Sequence, residues 1–167
     1  MTTLPDPARA LQTRIRDQIP LVHAMDLRIH AWSGDALTMA APLKPNINDK
    51  GCAFGGSLAS VMTIAGWALV VLALEQRGLD CDVFVARSEA AYRAPVWNDF
   101  LAHAELDPDA DRDRFFTTLA RRGKARVALR CHVHEADGDT LCATLAAQFV
   151  AKTRDPAHGT TSIEKAP

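Results

Sequence analysis

From Leu58 to Leu74 the chain carries no charged side chain. Drawn as a helix, this run places apolar residues on every side, so it predicts a helix buried all round. A chain holding such a helix has to wrap its remaining elements about it. At 1.5 Å per residue the helix expected over Gly56–Arg77 is about 33 Å long. Ser57 is the expected N-cap, Glu75, Gln76 and Arg77 the wet end, and Gly78 the stop. The polar loop Asn46–Phe54 then lies at the positive end of the helix, where backbone N–H groups lack intrahelical acceptors and can face an anionic oxygen. The helix reads either as a plain core element or as one whose N-terminus is a reaction site. A membrane span needs about 20 apolar residues. This run is slightly short, holds Ser60, Thr63 and Gly66, and lacks a basic flank, so no membrane is expected.

The chain as a whole has ordinary globular composition, 48% hydrophobic and 23% charged over 167 residues, enough for one domain. Residues 1–153 are expected as that domain and 154–167 as a flexible tail. A net charge of −1 gives no reason to expect nucleic acid or an acidic membrane as partner. Cys52, Cys81, Cys131 and Cys142 show no regular spacing, which fits reduced thiols and a cytoplasmic location. The first twenty residues have no apolar core of a secretory signal.

Pro5 to Gln18 predicts an amphipathic helix with Leu11, Ile15 and Ile19 on one face, ended by Pro20. Met25–Trp32 alternates Leu27, Ile29 and Ala31 against Arg28 and His30, a half-buried strand. Ser33-Gly34-Asp35 turns into a return strand, Ala36–Ala41. After Gly78 the period becomes two. Val83–Val96 predicts a long strand with Phe84, Ala86, Ala90, Tyr92 and Val96 on one face. Phe100–Leu106 follows as a strand. Asp107–Arg122 is acidic first and basic last, as a helix dipole favours, and Gly123 stops it. Lys124–Glu135 alternates most cleanly, burying Ala125, Val127, Leu129, Cys131 and Val133. Asp137-Gly138 is a hairpin signal, and Thr140–Lys152 returns with Leu141, Leu145 and Phe149 on one side. The sum is an α+β layer, an antiparallel sheet wrapped around one long helix.

The run Asn46-Ile47-Asn48-Asp49-Lys50-Gly51-Cys52-Ala53-Phe54-Gly55-Gly56-Ser57, with Ala65-Gly66-Trp67 and Tyr92-Arg93-Ala94-Pro95-Val96, resembles a bacterial thioesterase family of the hotdog-fold superfamily. That family is found alone or behind an acetyltransferase domain, and the resemblance covers roughly Ile19 to Thr153. It implies a hotdog fold, an acyl-CoA or acyl-carrier thioester as substrate, and no cofactor, CoA entering only as part of the substrate. It also implies self-association as a homodimer or a dimer of dimers. Thioester hydrolysis needs a carbonyl clamp and a group that orients or deprotonates water. Gly55 and Gly56 would let the thioester approach the helix N-terminus. Asp49, the only carboxylate between Asp35 and Glu75, is the candidate base, and Asn48 could hold the water or the carbonyl oxygen. Asn46, Phe54, Ser57 and Tyr92 are candidate substrate contacts. A tight loop capped by Asn and Asp would look the same.

Two departures bear on the chemistry. Phe54 stands where many hotdog thioesterases carry His, and Thr63 where many carry a carboxylate on the central helix. Thr63 can hydrogen-bond but cannot act as a base near neutral pH. Arg122, Gly123 and Lys124, with Arg121, resemble the segment that meets CoA phosphates in hotdog enzymes. A cation-rich helix end reads equally well there. His132 and His134 share a strand face with no third ligand nearby in sequence, so no metal site is expected. A non-catalytic acyl-CoA-binding module is the alternative. A hydratase is disfavoured because the loop offers no His–Asp or His–Glu pair.

Overall fold

The computed structural model describes residues 4–154, and the tail expected over 154–167 lies outside them from residue 155 on. The chain runs α1 (Asp6–Gln18), α2 (Pro20–Ala24), β1 (Arg28–Trp32), β2 (Ala36–Ala41), a 3₁₀ turn (Lys44–Asn46), α3 (Gly55–Glu75), β3 (Cys81–Tyr92), β4 (Phe100–Leu106), α4 (Arg112–Arg122), β5 (Lys124–Glu135) and β6 (Leu141–Thr153). All six strands form one antiparallel sheet in the order β1-β2-β4-β5-β6-β3, curled about α3. This is the α+β hotdog arrangement the sequence leads one to expect. α3 is long and apolar enough to cross a membrane, but its apolar residues from Leu58 to Leu74 are largely spent on the sheet and on α1.

Period-two strands lay their alternate side chains on α3. Leu37, Met39, Ala102, Ala104, Val127, Leu129, Cys131, Val133, Leu145 and Phe149 are buried there. At Gly66 sheet and helix approach closely. A Cβ on it would stand 2.9 Å from the Phe149 ring and 3.4 Å from Cys131 Sγ. α4 begins at Asp111, whose side chain accepts the Arg114 N–H at 2.8 Å, and ends at Gly123 in the left-handed region (φ 64). Phe115 and Leu119 turn inward from α4 to close the far end of the core.

Several expectations need correcting. Pro20 closes α1 but also opens α2, since a proline suits a first helical turn. The strand expected from Met25 starts only at Arg28, because Asp26 takes φ 51 on leaving α2. A bulge between Ile29 and Ala31 turns Ala31 outward. α3 starts at Gly55 with Phe54 as N-cap, so Ser57 is the third helical residue and caps nothing. Nor is α3 buried all round: Gly56, Ser60, Thr63 and Trp67 form a half-exposed stripe. β3 stops at Tyr92, where Arg93 and Ala94 both donate to Cys142 O (2.8 and 3.1 Å). It is an edge strand with a bulge between Val85 and Arg87, and Phe84 and Ala86 face solvent. α4 is shorter than expected because Asp107 to Asp111 forms its approach. Leu141 is exposed at the mouth of β6. Arg154, expected in the tail, is held by ion pairs to Asp80 (3.0 Å) and Asp82 (2.8 Å).

Asp26 gives an acid-sensitive tie. Hydrogen bonds first from Arg16 and then from Arg28 hold its carboxyl below the ordinary 3.8. A carboxyl lowered on folding stabilises above its unfolded value, and that contribution is lost as pH falls through the folded one. Asp26→Asn should therefore destabilise at pH 7 and make little difference at pH 2. Urea unfolding of both proteins at the two pH values checks this.

Candidate active site

The loop before α3 is a small closed structure. Ile47 bridges Ala53, Asn48 N–H donates to Cys52 O at 2.8 Å, and Gly51 N–H to Asn48 O at 3.3 Å. Asn48 Oδ1 accepts the Lys50 N–H at 2.8 Å, and its Nδ2 reaches Cys52 Sγ at 3.2 Å. Asn48 thus builds the turn, as its residue type allows. Asp49 sits at the tip, 79% exposed, and pairs with its neighbour Lys50 at 2.8 and 2.9 Å. Asn46 lies beneath the loop rather than in a groove. It is 1% exposed and donates to Met25 O (3.0 Å) and Pro42 O (2.7 Å), while its Oδ1 has no partner. Its expected place as a substrate contact is corrected to a structural one. Its backbone carbonyl accepts the Phe54 N–H at 2.7 Å, which roots the loop at the helix start.

The helix start itself is open. The N-cap Phe54 supplies no side-chain acceptor, and the first intrahelical bond runs from Leu58 N–H to Phe54 O. The N–H groups of Gly55, Gly56 and Ser57 therefore have no acceptor inside the helix. Two exposed aromatic rings flank them. Phe54 lies over Gly56, so close that a Cβ there would stand 2.3 Å from the ring. Tyr92 packs on Gly55 and donates its hydroxyl to Gly55 O at 3.1 Å. A shallow groove runs beside them, lined by Ala53, Gly55, Leu58, Tyr92, Ala94 and Pro95. Arg93 also borders it. From the sequence, Arg93 with Tyr92 reads either as lining of an acyl or pantetheine channel or as plain strand alternation; Leu58 does not stand out without the fold, because it reads only as one more apolar residue of the buried helix.

Thr63 turns its hydroxyl back to Ala59 O at 2.8 Å, as Ser60 does to Gly56 O. Ser60 and Thr63, on the half-exposed stripe of α3, thus offer no free hydroxyl proton. Arg122, Gly123 and Lys124 are not brought to the groove. Gly123 O accepts from Thr153 N–H at 2.9 Å, and Thr153 pairs with Cys81. Tyr92, at the groove, is the other end of the same strand. A strand of this length spans about 36 Å. Within one chain the basic corner and the open helix start lie at opposite ends of the sheet.

A family model described as "Putative thioesterase (yiiD_Cterm)" matches residues 8–153. Among solved structures, a protein of unknown function from Chlorobaculum tepidum is 28% identical, with a TM-score of 0.82 over 88% of this chain and 94% of that one. A putative thioesterase from Shewanella oneidensis is also 28% identical, with a TM-score of 0.78 over 88% and 98%. A probable thioesterase from Pseudomonas aeruginosa, 21% identical, shares the fold with a TM-score of 0.75 over 92% and 100%.

Proposed function

The chain belongs to this thioesterase family, and from that premise we propose that it hydrolyses an acyl-CoA or acyl-carrier thioester at the N-terminus of α3. The observation that carries the reading is the uncapped start of α3, with donors at Gly55, Gly56 and Ser57 beside an apolar groove. A thioester carbonyl set there gains its hydrogen bonds as the oxygen becomes an oxyanion. Asp49 takes a proton from water, the water oxygen adds to the carbonyl carbon, the C–S bond breaks, and Asp49 returns the proton to the sulfur, which leaves as the thiol. Phe54 and Tyr92 flank the acyl group and shield it from bulk water. The reaction needs no cofactor, and the four free thiols suit a cytoplasmic setting.

Self-association completes the site in this reading. β3 is a long edge strand with Phe84 (58%) and Val85 (45%) exposed, a ready template for a second copy. Two-fold antiparallel pairing of β3 with itself would set each Tyr92 end beside the partner's Cys81 end. Each groove would then meet the partner's basic corner, where Arg122 and Lys124 can hold CoA phosphates. The protein is expected to be a homodimer or a dimer of dimers at micromolar concentration by light scattering. Phe84→Lys with Val85→Lys should shift it toward monomer without unfolding it. Replacing Arg122 and Lys124 with Ala should raise KM for acyl-CoA more than it lowers kcat. An unchanged KM would remove both from the site.

A panel of acyl-CoA substrates, with release of free thiol followed at steady state, tests the central claim. Saturable binding without turnover would favour a non-catalytic acyl-CoA module, a reading that Asp49's exposure and its pairing with Lys50 keep in play. Gly56→Val should cut kcat by about 10²-fold, since its side chain occupies the approach to the donors. The displaced Phe54 ring is exposed, so stability should change little.

A further inference from the structure

The outer face of the sheet, turned away from α3, gathers histidines that are far apart in sequence. His103 on β4 is the direct ladder partner of His132 on β5, and His134 follows two residues on, on the same face. Their ring centres stand 5.0 Å (His103–His132), 4.9 Å (His132–His134) and 6.0 Å (His103–His134) apart. We propose that His103, His132 and His134 form a binding site for one divalent transition metal ion of the zinc class.

Three features carry the assignment. The first is spacing. An ion bound to an imidazole nitrogen at about 2.0–2.1 Å stands about 3 Å from the ring centre. A triangle with the observed sides has a point about that far from all three corners. The second is the set of partners behind the rings. His103 Nδ1 is hydrogen-bonded to Thr38 Oγ1 at 2.8 Å, and His134 Nδ1 to Asp139 O at 3.2 Å. Metal-bound histidines characteristically engage their second nitrogen in this way, which frees Nε2 of these two rings for the ion. The third is rigidity, because all three residues sit on paired strands whose alternate residues, Ala102, Ala104, Cys131 and Val133, are anchored in the core.

Arg130, the next outward residue of β5, is occupied by Asp107 at 2.7 Å. As the rings stand, no three such side chains among the described residues converge on one ion position, and His103 and His132 face each other at 28°. The proposal needs the His132 ring to rotate about its second side-chain torsion, which is soft, while His103 and His134 keep their bonds to Thr38 and Asp139. All-nitrogen ligation selects zinc, nickel or copper over magnesium or calcium.

Calorimetric titration of the untagged protein with Zn²⁺ in metal-free buffer tests the site, independently of any thioesterase activity. One ion per chain is expected. His132→Ala and, separately, His103→Gln should weaken binding by at least about 10-fold, and Thr38→Val by less. His23→Ala, outside the cluster, should change nothing. The absorption spectrum of the Co²⁺ form gives a second readout, tetrahedral bands that disappear in His103→Gln. Absence of binding in the parent protein, or binding that survives both cluster variants, overturns the proposal.

Discussion

Asp49→Asn is expected to lower kcat for acyl-CoA hydrolysis by about 10²–10⁴-fold, the range for losing a general base, with the fold unchanged. The substitution keeps the shape of the side chain and removes only its ability to accept a proton. Asp49 is exposed, and its one side-chain partner among the described residues is the adjacent Lys50. An exposed ion pair contributes only about 0–1 kcal/mol, so neither stability nor loop geometry depends on it. That separates it from Asn48, whose side chain and backbone hold the turn through Lys50, Gly51 and Cys52. Asn48→Ala should therefore reduce both kcat and thermal stability, whereas Asp49→Asn should touch kcat alone. Steady-state kinetics beside thermal unfolding of the two variants resolve the difference. Near parental kcat in a folded Asp49→Asn protein would make the loop purely structural and leave α3 as a binding platform.

The helix and the loop were legible because their signals are local. An uncharged run predicts a buried helix, and alternation over Lys124–Glu135 and Phe100–Leu106 sets those strand bounds to the residue. The errors fall where tertiary placement decides. Phe84 and Ala86 have the alternation of a half-buried strand, yet β3 ends the sheet and its bulge shifts the faces. Ser57 has the chemistry of a cap, but the helix starts two residues before it, at Gly55, with Phe54 in the cap position. Arg122 and Lys124 were joined to the loop by resemblance, and only the course of β3 and β6 reveals that one chain holds them apart. His103 was invisible as a neighbour of His132 because a ladder, not a spacing, brings them together.

The largest stability effect is expected where Gly66 of α3 meets Phe149 of the sheet. Phe149 is fully buried, and Phe149→Ala should cost about 3–5 kcal/mol through lost burial and the void left behind. Gly66→Ala alone should also destabilise. Alanine gains about 0.8–1.0 kcal/mol over glycine inside a helix, but a methyl 2.9 Å from the Phe149 ring overpacks the site, at a cost of about 1–3 kcal/mol. With the ring gone the clash is gone, and the methyl fills part of the void. Gly66→Ala should therefore change sign, stabilising the Phe149→Ala protein while destabilising the parent. Cys131 supplies a second readout at the same contact. Burial pushes its thiol up to about 12, so it should resist thiol reagents in the parent and label faster in Phe149→Ala. Urea unfolding of the four proteins of this cycle measures the coupling. Equal effects of Gly66→Ala in both backgrounds would mean that the backbone moves to make room, and that the Gly66–Phe149 contact does not set the spacing between α3 and the sheet.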